Sequence, residues 1–243
     1  MSLSKIFTPE LLQCYLCVAA LFMRPLPKRS HFPARFLLSS LFCLFCAAPL
    51  SMFHVWASAV ARTSALPNEW GISFASGVEM LLYLLAVAVF FAVCCDIRPL
   101  HAAYCSACAY LTQDLAYTIF VFLLPYAAHR GRQPLKPETL WLELLILVIY
   151  SALFYRLIAS RILTKLNQLT NIREALGYML IILYIGRILG TLASIEYGST
   201  ETVLFRIILL YDMLLTASLL FSQVLIFYQG QYQQKLAMES QLR

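Results

Sequence analysis

Seven apolar segments constrain this chain more than any other feature of its 243 residues. They lie near residues 7–23, 36–60, 73–95, 102–127, 140–158, 175–195 and 203–228. The hydrocarbon core of a bilayer is about 30 Å thick, and a helix needs roughly 20 residues to cross it. Most of the segments reach that length, and no sizeable polar region separates them. The pattern predicts an all-α, polytopic helical membrane bundle with about seven transmembrane helices.

Composition and motifs narrow the classes of function that fit such a bundle. The chain is 61% hydrophobic and 12% charged, against about 25% charged residues in soluble domains. The net charge of +6 is too small to indicate a nucleic-acid partner. The metalloprotease, serine-hydrolase and phosphate-loop motifs are missing from the sequence, and the last apolar segment has no lysine for a retinal Schiff base. We therefore expect no catalytic residue, no metal and no cofactor in this chain.

The distribution of basic residues among the loops predicts which side of the membrane each loop faces. With the N-terminus outside, the inner regions are 24–35, 96–101, 156–174 and 229–243. They hold eleven Lys and Arg residues, against five on the outer side. Because Lys and Arg accumulate on the cytoplasmic side, this excess predicts an N-out, C-in topology. The loop 129–139 disagrees, since it places three basic residues outside.

Charged residues within the apolar segments form the candidate site, because buried ionisable groups in membranes often have a function. Counting 1.5 Å per residue, Arg187 lies about 12 Å and Asp212 about 13 Å from the outer ends of their segments. Matching depths on consecutive antiparallel helices predict an Arg187–Asp212 pair. The other charges also lie in the outer half, except Asp114, which lies nearer the middle. The full set is Glu79, Asp114, Glu143, Arg187, Arg206 and Asp212.

Two interpretations of these charges remain open from the sequence. They could line a polar cavity that opens to the outside and binds a ligand. Alternatively, they could pair between helices and fix the rotation of each helix, with Glu143 and Arg206 reaching the membrane surface.

Cysteines recur at spacings that can bind metals. A metal or redox role is one interpretation, but zinc sites normally lie in loops with supporting neighbours. The other interpretation, which we favour, is that these are small, soft core residues. The pairs are Cys14/Cys17, Cys43/Cys46, Cys94/Cys95 and Cys105/Cys108.

The sequence becomes polar at Gln229, from which it reads QGQYQQKLAMESQLR. Most of these residues favour helix, apart from Gly230. The run therefore predicts that the last membrane helix continues into the cytoplasm, although a frayed tail is the alternative. Leu225, Tyr228, Tyr232 and Leu242 fall near a three–four spacing, with Lys235 and Glu239 on the same face.

Two short stretches carry a resemblance to a known family. The run RPLPKR, Arg24–Arg29, and the stretch CCDIRPLHAAYCSACAYLTQDLAY, Cys94–Tyr117, resemble the polytopic N-terminal region of bacterial GHKL-type sensor histidine kinases. These proteins are similar in layout to quorum-sensing kinases of Gram-positive bacteria. The resemblance covers the sensor half, and no phosphoacceptor histidine region or ATP-binding box occurs before Arg243.

The resemblance implies a transmembrane sensor domain over 1–228 and the start of a cytoplasmic signalling helix over 229–243. It further implies a bacterial cell membrane, a small-molecule or peptide signal and a homodimer. A cytoplasmic kinase domain and a response regulator would act through the parent protein.

Two functions fit these expectations. The first is a sensing module of a two-component system that passes a stimulus to a cytoplasmic histidine kinase. The second is a small membrane transporter or substrate-binding subunit, with Asp114 as an ion- or proton-linked group. A third interpretation is that the chain is a structural partner of other membrane proteins. The polar helical exit after Tyr228 favours the sensor, because a transporter does not need one.

Overall fold

The computed structural model describes residues 9–45, 56, 68–123, 141, 145, 148–150, 152, 153, 155, 156, 172–197 and 202–241. In these residues the regular elements are α-helices, and strand-like pairing is confined to an isolated bridge between Lys28 and Cys95. The predicted all-α class is therefore confirmed for the described part of the chain. The helices are α1 (Pro9–Met23), α2 (Phe32–Phe45), α3 (Asn68–Cys94), α4 (Pro99–Leu123), α5 (Ile172–Tyr197) and α6 (Thr202–Gln241).

Helix α4 lies at the centre because residues 102–109 are mostly Ala, Cys and Ser, whose small side chains let neighbouring helices approach closely. Its Ser106 hydroxyl donates to the Leu84 carbonyl of α3 at 2.7 Å. The Tyr15 hydroxyl of α1 donates to the Ser106 carbonyl at 2.9 Å. Ser106 thereby joins three helices, with α1 and α3 running in one direction and α4 in the other.

Helix α2 runs antiparallel to α3 and packs along its second half. The Phe36 and Phe90 rings lie 5.4 Å apart, the Ser39 hydroxyl is 3.2 Å from the Cys94 thiol, and the Cys43 thiol donates to the Ala86 carbonyl at 3.7 Å.

Helix α6 runs antiparallel to α4, and two side-chain bonds fix their register. Thr118 donates to Asp212 at 3.2 Å, and Tyr104 donates to the Gln223 side chain at 3.2 Å. In this register Gln229 lies level with the first residue of α4. The turns of α6 from Gln229 to Gln241 therefore project about 18 Å past that end.

One end of the bundle, which we call the basic end, consists of the loop 24–31 and the turn 95–98. The Arg29 amide donates to the Cys94 carbonyl at 3.1 Å, and the Asp96 amide donates to the Pro27 carbonyl at 2.8 Å. The Arg29 Nε donates to the Cys95 carbonyl at 3.1 Å. His31, with φ of 56°, then turns the chain into α2. The two stretches that carry the family resemblance are thus bonded to each other.

The densest packing adjoins the basic end. Phe22, Met23, Phe90, Phe91 and Tyr104 are each at most 1% exposed and come from α1, α3 and α4. Large aromatic side chains of this kind dominate core energetics because each removes 150–250 Å² from solvent.

Two described helices are long and apolar enough to cross a membrane, judged by length and composition. They are α3 over Gly71–Cys94 and α6 over Leu210–Ser240, while α2 is a shorter apolar helix. The outer surface is apolar as well, as shown by Leu38 at 66% and Phe45 at 80% exposure. The count of seven crossings and the N-out direction stay predictions, as do the domain bounds, although α6 passes 228/229 without a break.

Candidate functional site

The candidate site begins with a polar stripe on α3. Ser73, Ser76, Glu79 and Tyr83 recur at three- and four-residue spacing, which places them on one face of the helix. All four are buried, with exposures of 0%, 4%, 8% and 7%. The Ser73 hydroxyl has no hydrogen-bond partner in the described part of the chain. Because buried polar groups cost free energy unless they are bonded, this stripe indicates a polar interior between helices.

Arg187 brings a cation from α5 to this stripe. Its Nε donates to the Ser76 hydroxyl at 3.1 Å, while part of the side chain stays exposed. The approach of α3 to α5 depends on Gly77, since a Cβ at that position would lie 2.6 Å from Cε2 of Tyr184. Glycine is therefore required here for close packing of the two helices.

Helices α4 and α6 meet at the same level through a shared hydroxyl. Thr118, which is 3% exposed, lies 2.9 Å from the Asp114 carbonyl and 3.2 Å from the Asp212 carboxylate, and its hydroxyl faces both. A threonine carries a single hydroxyl hydrogen, so it donates to one of these acceptors or divides its bond between them. The hydroxyl therefore joins the Asp212 carboxylate of α6 to the backbone of α4.

The charges of the four helices interact with one another. Arg187 interacts electrostatically with Glu79, Tyr110, Asp114 and Asp212, and Asp114 interacts with Asp212. Three carboxyl groups thus interact with one guanidinium in a largely apolar setting. We call this set the polar cluster; it consists of Ser76, Glu79, Tyr110, Asp114, Thr118, Arg187 and Asp212.

The structure groups the predicted charges differently from the depth estimate. Glu79, Arg187 and Asp212 come together, and the predicted neighbours Arg187 and Asp212 interact electrostatically. Asp114, which the sequence set apart, belongs to the same cluster. Glu143 and the side chain of Arg206 lie outside the described residues.

Three members of the cluster were missed from the sequence, namely Ser76, Tyr110 and Thr118. Small hydroxyl residues and tyrosines are common in apolar helices, so none of them stands out by type. The signal that could have found them is their spacing from the charged residues. Ser76 lies three residues before Glu79, Tyr110 one turn before Asp114, and Thr118 one turn after it.

The cysteines lie mostly in the core near the basic end. Cys43, Cys94, Cys95, Cys105 and Cys108 are reduced and buried, whereas Cys17 is exposed. In the described ranges, no group of three or more His, Cys, Asp and Glu residues is placed to hold a metal ion. Cys14 and Cys46 have side chains outside those ranges. Packing accounts for the five buried thiols.

Comparisons with protein-family models, with curated proteins and with solved structures find no match to this chain. We therefore infer the function of the chain from the geometry of the polar cluster and of the helix that leaves it.

Proposed function

We propose that this chain is a multi-pass membrane sensor module that passes a stimulus from the polar cluster to a cytoplasmic effector. The observation that carries the proposal is the continuity of α6, a single helix from Thr202 to Gln241. It holds Asp212 in the polar cluster and ends well past the basic end. One continuous helix therefore joins the candidate input site to the turns from Gln229 to Gln241, which we call the projecting tail.

The helix directions support seven crossings with the N-terminus outside. The described helices alternate in direction from α1 to α4 and again from α5 to α6, whereas α4 and α5 run in the same direction. The end of α4 and the start of α5, which flank the fifth predicted segment, therefore lie at opposite ends of the bundle. The proposed fifth crossing near 140–158 would connect these two ends. Exposed Arg24, Lys28, Arg29 and Arg98 lie at the basic end, which is the end expected to face the cytoplasm.

A stimulus acts on this module only if it binds two conformations with different affinity. The polar cluster offers such a difference, because a cation, a proton or a polar ligand that binds the Asp212 carboxylate competes with the Thr118–Asp212 hydrogen bond. Displacement of Asp212 moves α6, and Asp212 lies about 43 Å from Gln241 along the helix axis. A small tilt at the cluster thereby becomes a larger displacement of the tail.

The identity of the effector rests on the resemblance of Arg24–Arg29 and Cys94–Tyr117 to bacterial sensor histidine kinases. On that basis the partner of the tail is a histidine kinase domain of a two-component system, with its response regulator. The bacterial cell membrane is the corresponding location, and a small molecule or peptide is the corresponding signal.

A proline in the projecting tail tests the proposal. Gln234→Pro removes a helix hydrogen bond and clashes with the preceding turn, so we expect the parent protein with its effector to lose its response to the stimulus. The matched variant Gln234→Ala keeps the helix and should respond normally. Stimulus-dependent phosphate transfer to the response regulator is the measurement, and a response that survives the proline contradicts the proposal.

The excess of carboxyl groups over cations in the polar cluster favours a second candidate, a small ion- or proton-linked transporter. Uptake into vesicles that is lost in Asp114→Asn would support transport. The projecting tail gives the sensor the stronger case, since transport requires no helix beyond the bundle.

A further inference from the structure

The basic end gathers exposed cations on a backbone that is bonded in place. Its loop 24–31 and its turn 95–98 are separate stretches of the chain. The Asp96 amide of the turn donates to the Pro27 carbonyl of the loop at 2.8 Å, and Lys28 pairs with Cys95 in the isolated bridge. Hydrogen bonds between two stretches therefore fix the positions of the cations. The exposed basic residues of the two stretches are Arg24, Lys28, Arg29 and Arg98.

Most of this positive charge is not neutralised within the described part of the chain. Asp96 is the acid of these two stretches, and its carboxylate lies 3.8 Å from Nε of Arg29. Arg24, Lys28 and Arg98 form no ion pair with a described acid. A group of cations that lacks counter-charges attracts an anionic ligand.

An apolar surface begins directly beside these cations. The Lys28 ammonium lies 4.9 Å from the centre of the Phe32 ring, at the start of α2. From there α2 packs one side against α3 and leaves the other side open. The open side carries five apolar side chains that are between 55% and 80% exposed, and we call it the α2 face. It consists of Leu37, Leu38, Leu41, Phe42 and Phe45.

An anionic phospholipid matches both surfaces at once. Helix α2 is about 20 Å long, and the hydrocarbon of one leaflet is about 15 Å thick, so the α2 face lies beside acyl chains along its length. A soluble anion would bind the cations and leave the α2 face bare. A neutral lipid would cover the face and leave the cations without a counter-charge. Clusters of Lys and Arg at the cytoplasmic surface of a membrane bind anionic lipid headgroups.

Charge alone does not define such a site, because basic loops occur at the cytoplasmic ends of many membrane proteins. The basic end differs from an ordinary basic loop in two respects. Its backbone is bonded to the turn after α3, and an exposed apolar helix starts beside it. The headgroup and the acyl chain of one lipid molecule would thus have adjacent binding surfaces.

We infer that the basic end and the α2 face together bind one anionic phospholipid, with its phosphate among Arg24, Lys28 and Arg98 and an acyl chain along α2. The inference goes beyond the sensing role and rests on the membrane placement proposed with it. Because the lipid binds the folded chain, it also stabilises the fold.

Native mass spectrometry of the whole chain in detergent tests this inference. Phosphatidylglycerol and phosphatidylcholine with the same acyl chains are titrated in turn, and we expect one phosphatidylglycerol to bind several-fold more tightly than phosphatidylcholine. Lys28→Gln and Arg98→Gln should each lower that affinity about fivefold, the usual contribution of a basic residue near an anionic membrane surface. Lys235→Gln is the matched control, because Lys235 is exposed in the projecting tail, and it should bind like the unmodified chain.

Two results of this titration would overturn the inference. One is equal affinity for the two lipids. The other is an equal loss in Lys28→Gln and Lys235→Gln, which would show attraction to the total charge of the chain instead of binding at a defined site.

Thermal unfolding in detergent separates a lipid from a soluble anion. Phosphatidylglycerol should raise the unfolding temperature, whereas glycerol phosphate, which has the phosphate and no acyl chain, should not. Leu38→Ser should reduce the shift, and Leu236→Ser in the projecting tail should not; these leucines are 66% and 47% exposed. An equal shift with glycerol phosphate, or a full shift in Leu38→Ser, overturns the inference. Neither measurement needs a stimulus or an effector, so its failure is distinct from that of the Gln234→Pro test.

Discussion

The two halves of the bundle are held together by different kinds of interaction. The half that adjoins the basic end is held by aromatic packing and by backbone bonds between the loop 24–31 and the turn 95–98. The other half contains the polar cluster, in which three carboxyl groups and one guanidinium replace apolar contacts. The comparison indicates that stability is concentrated in the first half, whereas the second half keeps groups whose interactions a stimulus can change.

The largest loss of stability is expected when a buried ring is removed from the half that adjoins the basic end. Phe90→Ala removes a ring that is 0% exposed, and such a change costs about 3–5 kcal/mol because a cavity remains. Phe74→Ala on the same helix is the control, since Phe74 is 48% exposed. Thermal unfolding in detergent should show a large loss for Phe90 and a small one for Phe74. Equal losses would contradict the division between the halves.

The next largest loss of stability is expected where α3 approaches α5 closely, beside the polar cluster. Gly77→Ala places a methyl group against the Tyr184 ring, and overpacking of this kind costs about 1–3 kcal/mol. Gly177→Ala is the matched change on α5, where nothing lies within 4 Å of the added Cβ. The free energy of unfolding should fall for Gly77→Ala and hold or rise for Gly177→Ala. The reverse order would show that the helices do not meet at Gly77.

A smaller change tests the shared hydroxyl of the polar cluster. Thr118→Val removes the donor to Asp212, at a cost of about 1–3 kcal/mol if the carboxylate stays buried. Thr112→Val is the control. Among the described residues, the Thr112 hydroxyl bonds only within its own helix, where it donates to the Cys108 carbonyl at 2.8 Å. A nitroxide spin label attached to the projecting tail should show a change in mobility in Thr118→Val and no change in Thr112→Val. A similar change in both variants would argue against a specific link through Asp212.

The smallest effect is expected at the surface of the basic end. The Arg29 and Asp96 side chains are 3.8 Å apart, with 41% and 78% exposure, and exposed pairs contribute only about 0–1 kcal/mol. Asp96→Ala should therefore leave unfolding nearly unchanged. A loss as large as that of Phe90→Ala would mean that this pair, and not the aromatic packing, holds the basic end together.

The sequence predicted the features that depend on local pattern. Apolar runs predicted the described helices, and helix formers after Gln229 indicated that α6 continues. These succeed because helix rise and propensity act over a few residues.

Other features depend on contacts between distant parts of the chain and could not be predicted. The register of α4 against α6 decides that Asp114 interacts with Asp212 and that Thr118 bonds it. The sequence contains no direct signal of that register. The close approach at Gly77 and the bonding of Arg29 to the turn after α3 likewise arise only when the helices pack.

The link between the polar cluster and the projecting tail is tested most directly by amide hydrogen exchange over residues 229–241 in lipid nanodiscs. We predict that these amides are protected as in a continuous helix and that Asp212→Asn changes their exchange, although the substitution lies in the polar cluster. Asp96→Asn makes the same chemical change at the basic end, outside the polar cluster, and should leave exchange as in the unmodified chain. Two results would contradict the proposed path from the cluster to the cytoplasm. One is an unprotected tail, and the other is a tail whose amide exchange is the same in Asp212→Asn as in the unmodified chain.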